Sequence, residues 1–158
     1  MKHLKTYKLF ESFNEDDFQW FKDLFQELKD EGFRLTIKES STMRLDFSKS
    51  DVIDIHYMEE TPGKPQEIIK TIDVKIEKRV LAQDNTRFFG PTLKEFNINE
   101  IKETLRFAES FAKDELGLEI EYIYTMRIPR YLYYSSVDAL PDNQTVDSVT
   151  FSFRKKDI

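Results

Sequence analysis

Twice along this chain a helical period of apolar residues stops at a glycine and an alternating period starts on the next residue. Phe18, Phe21, Leu24, Phe25 and Leu28 recur at three- and four-residue spacing, which puts them on one face of a helix. Gly32 follows, and Phe33, Leu35 and Ile37 then alternate with Arg34, Thr36 and Lys38, the period of a strand with one buried face. The switch recurs further on. Ile101, Leu105, Ala108, Phe111 and Ala112 share a helical face, Gly117 ends it, and Leu118, Ile120, Tyr122, Tyr124 and Met126 alternate with Glu119, Glu121, Ile123 and Thr125. Segments 25–37 and 111–123 therefore echo each other, with the glycine one residue out of register. An amphipathic helix and a one-faced strand each need a partner layer. The expected fold class is α+β: a two-layer sandwich, two helices on a mostly antiparallel sheet, built as a helix-plus-strands pseudo-duplication.

The remaining segments fill in the sheet. Asn14 is placed to cap the first helix, and Glu15, Asp16 and Asp17 sit at the positive end of its dipole. Met43, Leu45 and Phe47 resume the alternation after Glu39, Ser40 and Ser41, which reads as a hairpin. Ile53, Ile55 and Tyr57 give the next strand, and Thr61 to Pro65 a turn. Ile68, Ile72, Val74 and Ile76 oppose Thr71, Asp73, Lys75 and Glu77 in a longer strand. Four antiparallel strands in sequence are thus expected. Residues 81–96 lack a period and read as a connection. Asn99 opens the second helix, and after Met126 short strands are expected over Arg130 to Tyr134 and over Val149, Phe151 and Phe153.

A chain of 158 residues is the size of one domain and can bury roughly 70% of its unfolded surface. It has no cysteine, so neither a disulfide framework nor a thiolate metal site is available. Apolar runs fall far short of the ~18 residues needed to span a bilayer. Thirty acidic and 24 basic residues, a net charge of −6, are interleaved, which disfavours general affinity for nucleic acid.

Each candidate for chemistry has a plainer reading. Asp54 and His56 are two apart on one strand, the start of a metal site, but no further histidine with ligand spacing joins them. Asp16 with Asp17, Asp30 with Glu31, Glu59 with Glu60 and Asp114 with Glu115 sit at helix ends or turns, where dipole and solvation account for them. Gly32, Gly63, Gly90 and Gly117 stand singly, so there is no phosphate-cradling loop. Arg127, Arg130, Tyr131, Tyr133 and Tyr134 have the composition of a single-strand binding surface, although core packing explains such tyrosines more simply. Arg87, Phe88 and Phe89 are candidate partner contacts in the irregular connection. No nucleophile, metal set or cofactor is nominated, and catalysis is not expected.

The first eleven residues, MKHLKTYKLFE, stand apart. Lys2, Lys5 and Lys8 form one stripe on a helix and Leu4, Tyr7 and Phe10 another, and Leu9, Phe10 and Glu11 precede the small residue Ser12. This segment resembles the capsid-targeting leader of internal, prohead-core proteins of T-even-like tailed bacteriophages, in its Met-Lys start and its Leu-x-Glu end. The resemblance covers only these residues; the body resembles uncharacterised phage proteins. It implies a leader over 1–11 ahead of a single domain over 12–158, with Leu9, Phe10, Glu11 and Ser12 as the cleavage motif of a prohead protease. It also implies that Lys2, Leu4, Lys5, Tyr7 and Lys8 dock on a phage scaffold or capsid protein. Removing the leader leaves 21 basic against 29 acidic residues, a net −8. The function expected is that of a packaged accessory protein in the virion interior, made in the bacterial cytoplasm and acting by protein binding. The alternative is a phage-encoded cytoplasmic inhibitor that blocks a host or defence protein with its acidic face. Neither nucleic acid nor a membrane is an expected partner.

Overall fold

The computed structural model describes residues 13, 15–54, 68–80, 92–127 and 130–155. Among them, helices pack on one face of an antiparallel sheet in the order β1-β3-β9-β6-β7-β2, with β4 also paired to β3. The strands are β1 Phe33–Met43, β2 Val52–Asp54, β3 Ile68–Val80, β4 Thr92–Lys94, β6 Leu118–Arg127, β7 Arg130–Tyr134 and β9 Ser148–Lys155. A separate ribbon pairs β5, Phe96–Asn97, with β8, Thr145–Val146. The helices are α1 Glu15–Leu24, α2 Gln26–Asp30 and α3 Asn99–Phe111, which widens into a π turn over Ala112–Leu116. This is the expected α+β arrangement.

Burial follows the helical spacing. Phe21, Phe25 and Leu28 from α1 and α2, and Ile101, Leu105, Ala108 and Ala112 from α3 and its π turn, join Ile72, Val74, Ile76, Val149, Phe151 and Phe153 of the sheet in one core. The Phe21 ring centroid lies 4.6 Å from that of Phe153, which lies 4.3 Å from that of Phe151, so aromatic packing ties the helix layer to the centre of the sheet. Gly32 and Gly117 have φ of +96° and +65°, and this left-handed turn is what ends each helix without the steric cost a Cβ would bring.

The helix–glycine–strand echo is reproduced in the pairing. Phe33, just after Gly32, registers with Lys78, and Leu118, just after Gly117, registers with Lys155. Between the halves, Ile72 pairs with Phe153, Val74 with Phe151 and Ile76 with Val149. Strand order and direction are those of a pseudo-twofold axis between Val74 and Phe151.

Three expectations are corrected. Residues 33–47 form no hairpin: β1 continues through Glu39, Ser40 and Ser41, which pair with Ile72, Thr71 and Lys70, because β3 is long enough to template all of it. The chain turns later, where Asp46 Oδ1 accepts from Ser48 N at 2.9 Å and Ser50 Oγ accepts from Val52 N at 3.2 Å. The first strands are not adjacent in sequence order either, since β2 pairs with β7 at the far edge. Within the supposed connection 81–96, Thr92–Lys94 and Phe96 belong to strands, and Phe96 is buried with its ring edge-on to Phe33 at 5.2 Å. α3 opens at Asn99 as expected, and its entry is tied down by Asn97 Oδ1, which accepts from Asn99 N at 2.9 Å, and by Glu100 Oε2, which accepts from Asn97 N at 3.0 Å. Asn14 lies outside the described residues.

Phe153→Ala should lower the unfolding free energy by about 3–5 kcal/mol, because it empties the site between Phe21 and Phe151. Ile68→Ala, at a side chain 70% exposed, should change it by less than about 0.5 kcal/mol. Chemical denaturation of both variants checks the contrast.

Candidate functional site

The helix layer turns a second, unplanned apolar surface outwards. Once the stripes of α1 and α3 are committed to the core, Trp20 and Phe107 remain off those stripes and point away from the sheet, 48% and 60% exposed. Phe111 joins them: its ring centroid is 5.2 Å from Trp20 and 6.1 Å from Phe107. The three rings thus make one patch that bridges the two helices. Single exposed apolar residues are ordinary; large aromatics gathered at one place on a water-facing surface are not. The surroundings are acidic. Asp16, Asp17 and Asp23 flank Trp20 at helical spacing, Glu103 flanks Phe107, and Asp114 and Glu115 follow Phe111.

The opposite face of the sheet carries a different surface, created by a β-bulge. The β6 register slips between Ile120 and Tyr122, so Leu118 and Ile120 face the helices before the slip and Ile123 and Thr125 after it. Simple alternation put Tyr122 and Tyr124 on the face of Leu118; the extra residue sends them to the other side. There Tyr122 meets Tyr133 at 5.1 Å, Tyr124 meets Tyr133 at 4.7 Å and Tyr131 at 6.0 Å. The bulge also aims Glu121 and Glu119 at one guanidinium, with Arg154 Nε 2.8 Å from Glu121 and Nη2 2.8 Å from Glu119. Glu121 Oε1 accepts from Leu45 N at 3.3 Å, which fastens the chain leaving β1 to β6.

Beside the tyrosines runs a buried polar row. Ser152 Oγ donates to Asp73 Oδ1 at 2.6 Å and Thr71 Oγ1 donates to the same oxygen at 2.9 Å. Ser152 and Thr42 bond the Tyr122 hydroxyl. These contacts satisfy groups that would otherwise be desolvated without partners. Asp73 and Glu77, on the face opposite Ile72, Val74 and Ile76 as expected, are themselves buried. Burial pushes the Tyr122 hydroxyl up, helped by the Asp73 carboxylate, and pushes Tyr124 up to about 12, helped by the Tyr133, Tyr131 and Tyr122 hydroxyls.

Arg127 and Arg130 pair with each other across β6 and β7 in the same parity as Ile123 and Tyr134, on the helix side, whereas Tyr131 and Tyr133 face the other way. Tyr134 is core, with its hydroxyl 3.4 Å from Gln144 Oε1. Cations and stacking rings are therefore not brought onto one face. Arg127 also reaches Thr145 O at 3.3 Å and Glu95 at 3.9 Å, beside a groove of about 320 Å³ lined by Thr125, Arg130, Leu132 and Gln144. The rim of that groove is held to α3: Lys102 Nζ donates to Leu140 O at 2.9 Å and pairs with Asp142 at 2.6 Å, while Asn99 Nδ2 donates to Asn143 Oδ1 at 2.7 Å. The Lys102 ammonium holds the Asp142 carboxyl below the usual carboxylate range.

Of the expected site residues, Lys2, Leu4, Lys5, Tyr7, Lys8, Leu9, Phe10, Glu11, Ser12, Arg87, Phe88 and Phe89 lie outside the described residues, as do His56, Glu59 and Glu60. Asp54 ends the short edge strand β2. Asp16 and Asp17 lie in the first turn of α1, Asp30 and Glu31 close α2, and Asp114 and Glu115 lie in the π turn. Among the described residues no group of three or more His, Cys, Asp or Glu is placed to hold a metal ion, and no helix is long and apolar enough to cross a membrane. The aromatic patch was missed by reasoning from helical stripes, although Trp20 and Phe107 were visible as large apolar residues outside them. No family model, curated protein or solved structure matches the chain.

The tyrosine cluster sets an alkaline limit. A neutral hydroxyl whose pKa is raised by folding contributes stability that is complete below the unfolded value of about 10 and is lost as pH climbs toward the folded value. The denaturation midpoint should therefore fall between pH 10 and about 12, the latter being the Tyr124 value. Tyr124→Phe should flatten that fall, read by denaturant titrations across this range.

Proposed function

We propose that this chain is a capsid-internal accessory protein of a tailed bacteriophage, carried into the prohead by its N-terminal leader and acting there by binding protein. The leader supports the delivery step: Lys2, Lys5 and Lys8 beside Leu4, Tyr7 and Phe10 suit an amphipathic helix on an acidic scaffold groove, and Glu11-Ser12 suits the prohead protease. The Leu9-Phe10-Glu11 ending ahead of the small residue Ser12 carries the reading, and Phe13, just beyond it, is a buried core residue with Lys155 Nζ 5.5 Å from its ring centroid. The exposed Trp20 and Phe107, joined by the half-buried Phe111, support action by binding. The acidity of the helix layer equally favours a second reading, a phage-encoded cytoplasmic inhibitor of a host or defence protein; proteomics of purified virions separates the two by the presence or absence of the chain.

Co-expression with the cognate prohead protease should shorten the protein to one starting at Ser12, seen by intact-mass analysis. Glu11→Gln should block that cut without changing the thermal unfolding of the protein. A chain that stays full length beside a processed reference substrate defeats the delivery reading.

A further inference from the structure

We infer that the surface built by Trp20, Phe107 and Phe111 is a docking site for a cationic amphipathic helix of a partner protein, an inference that rests on the protein-binding reading above. The first support is geometric. Trp20 on the first helix and Phe107 with Phe111 one turn apart on α3 give a rigid aromatic surface across two packed helices. Trp20 and Phe107, 48% and 60% exposed, each keep about half of the roughly 150–250 Å² that a large aromatic can bury free for a partner, and Trp is enriched among residues that dominate binding energy. Apolar residues at i, i+3 and i+4 of a partner helix match a surface of this kind.

The second support is charge. Segments 15–31 and 99–116 hold twelve acidic and five basic residues, a net of −7, while the whole chain carries −6. The helix layer thus accounts for more than the entire net charge, and the rest of the chain is slightly positive. Two of the five cations are engaged away from the patch, Lys102 with Leu140 O and Asp142 and Arg106 with Asp138 at 3.7 Å. An aromatic centre within an acidic rim selects lysine- and arginine-flanked apolar segments, and steers them during encounter. The same rim opposes nucleic-acid phosphates and anionic lipid. A second copy docking through this face would bring two net-negative layers together, which like-charge repulsion disfavours.

Trp20 is the only tryptophan of the chain, so its fluorescence reports the patch directly. Titration of the full chain with a Leu/Lys amphipathic helical peptide should shift Trp20 emission to the blue and saturate, and the Leu/Glu peptide of matched apolar content should not. Phe107→Ala keeps every charge and should weaken Leu/Lys binding at least about tenfold with an unchanged denaturation midpoint. The double variant Asp16→Asn, Asp23→Asn should weaken it too and flatten its salt dependence. The inference is overturned if Trp20 emission does not move, if Leu/Glu binds as well as Leu/Lys, or if Phe107→Ala binds like the parent, which reduces the effect to bulk charge. Failure here leaves protease processing untouched, and failure of processing leaves this binding untouched.

Discussion

The pairing of β3 with β9 is the constraint on which the rest of this structure depends. Val74 opposite Phe151, with Ile72 opposite Phe153 and Ile76 opposite Val149, supplies the apolar floor on which both helices rest. The alternate residues of the same two strands carry Asp73 and Ser152, directly opposite each other and hydrogen bonded at 2.6 Å. One register therefore satisfies both faces at once, and a slip of one residue would bury Asp73 against Phe21 and expose Phe153. The strand that completes this pair is the last of the described strands. Its insertion between β3 and β6 makes the core contacts long-range, so the loop-closure entropy falls due before much burial is gained.

The pseudo-twofold relation and its break are informative together. The halves match up to the residue pair Leu35–Ile76 in one and Ile120–Phe153 in the other. Beyond that point β1 runs on regularly, while β6 inserts its bulge. The insertion places Glu121 beside Glu119 on Arg154 and rotates Tyr122 and Tyr124 to the outer face. The asymmetry is thus what gives this molecule its tyrosine cluster, and the Glu121–Leu45 bond that leads the chain from one sheet edge towards the other.

Period and glycine position made the helices, most strands and the core face legible, because Phe21, Phe25, Leu105 and Ile76 obey local rules that the tertiary structure only confirms. What escaped was set by pairing partners. Ser40 and Ser41 look like a turn until β3 is beside them, and β2 looks sequential until Val52 is opposite Tyr134. The bulge at Glu121 leaves only a faint local trace, the apolar Ile123 falling in the polar register between Tyr122 and Tyr124. The candidate patch was hidden for the complementary reason: Trp20 and Phe107 break the helical stripe, and a search for stripes discards what does not fit them.

Charge segregation gives the aromatic patch its setting. The helix layer carries net −7 and the rest of the chain is slightly positive, because each amphipathic helix spends its apolar stripe on the core and leaves its carboxylates on the water side. Trp20 and Phe107 lie among those carboxylates, so covering the rings also desolvates charge. A partner that sets lysine or arginine beside its apolar side chains offsets that cost, and a neutral or acidic one does not. Attraction to the rings and selection by charge therefore come from one and the same surface.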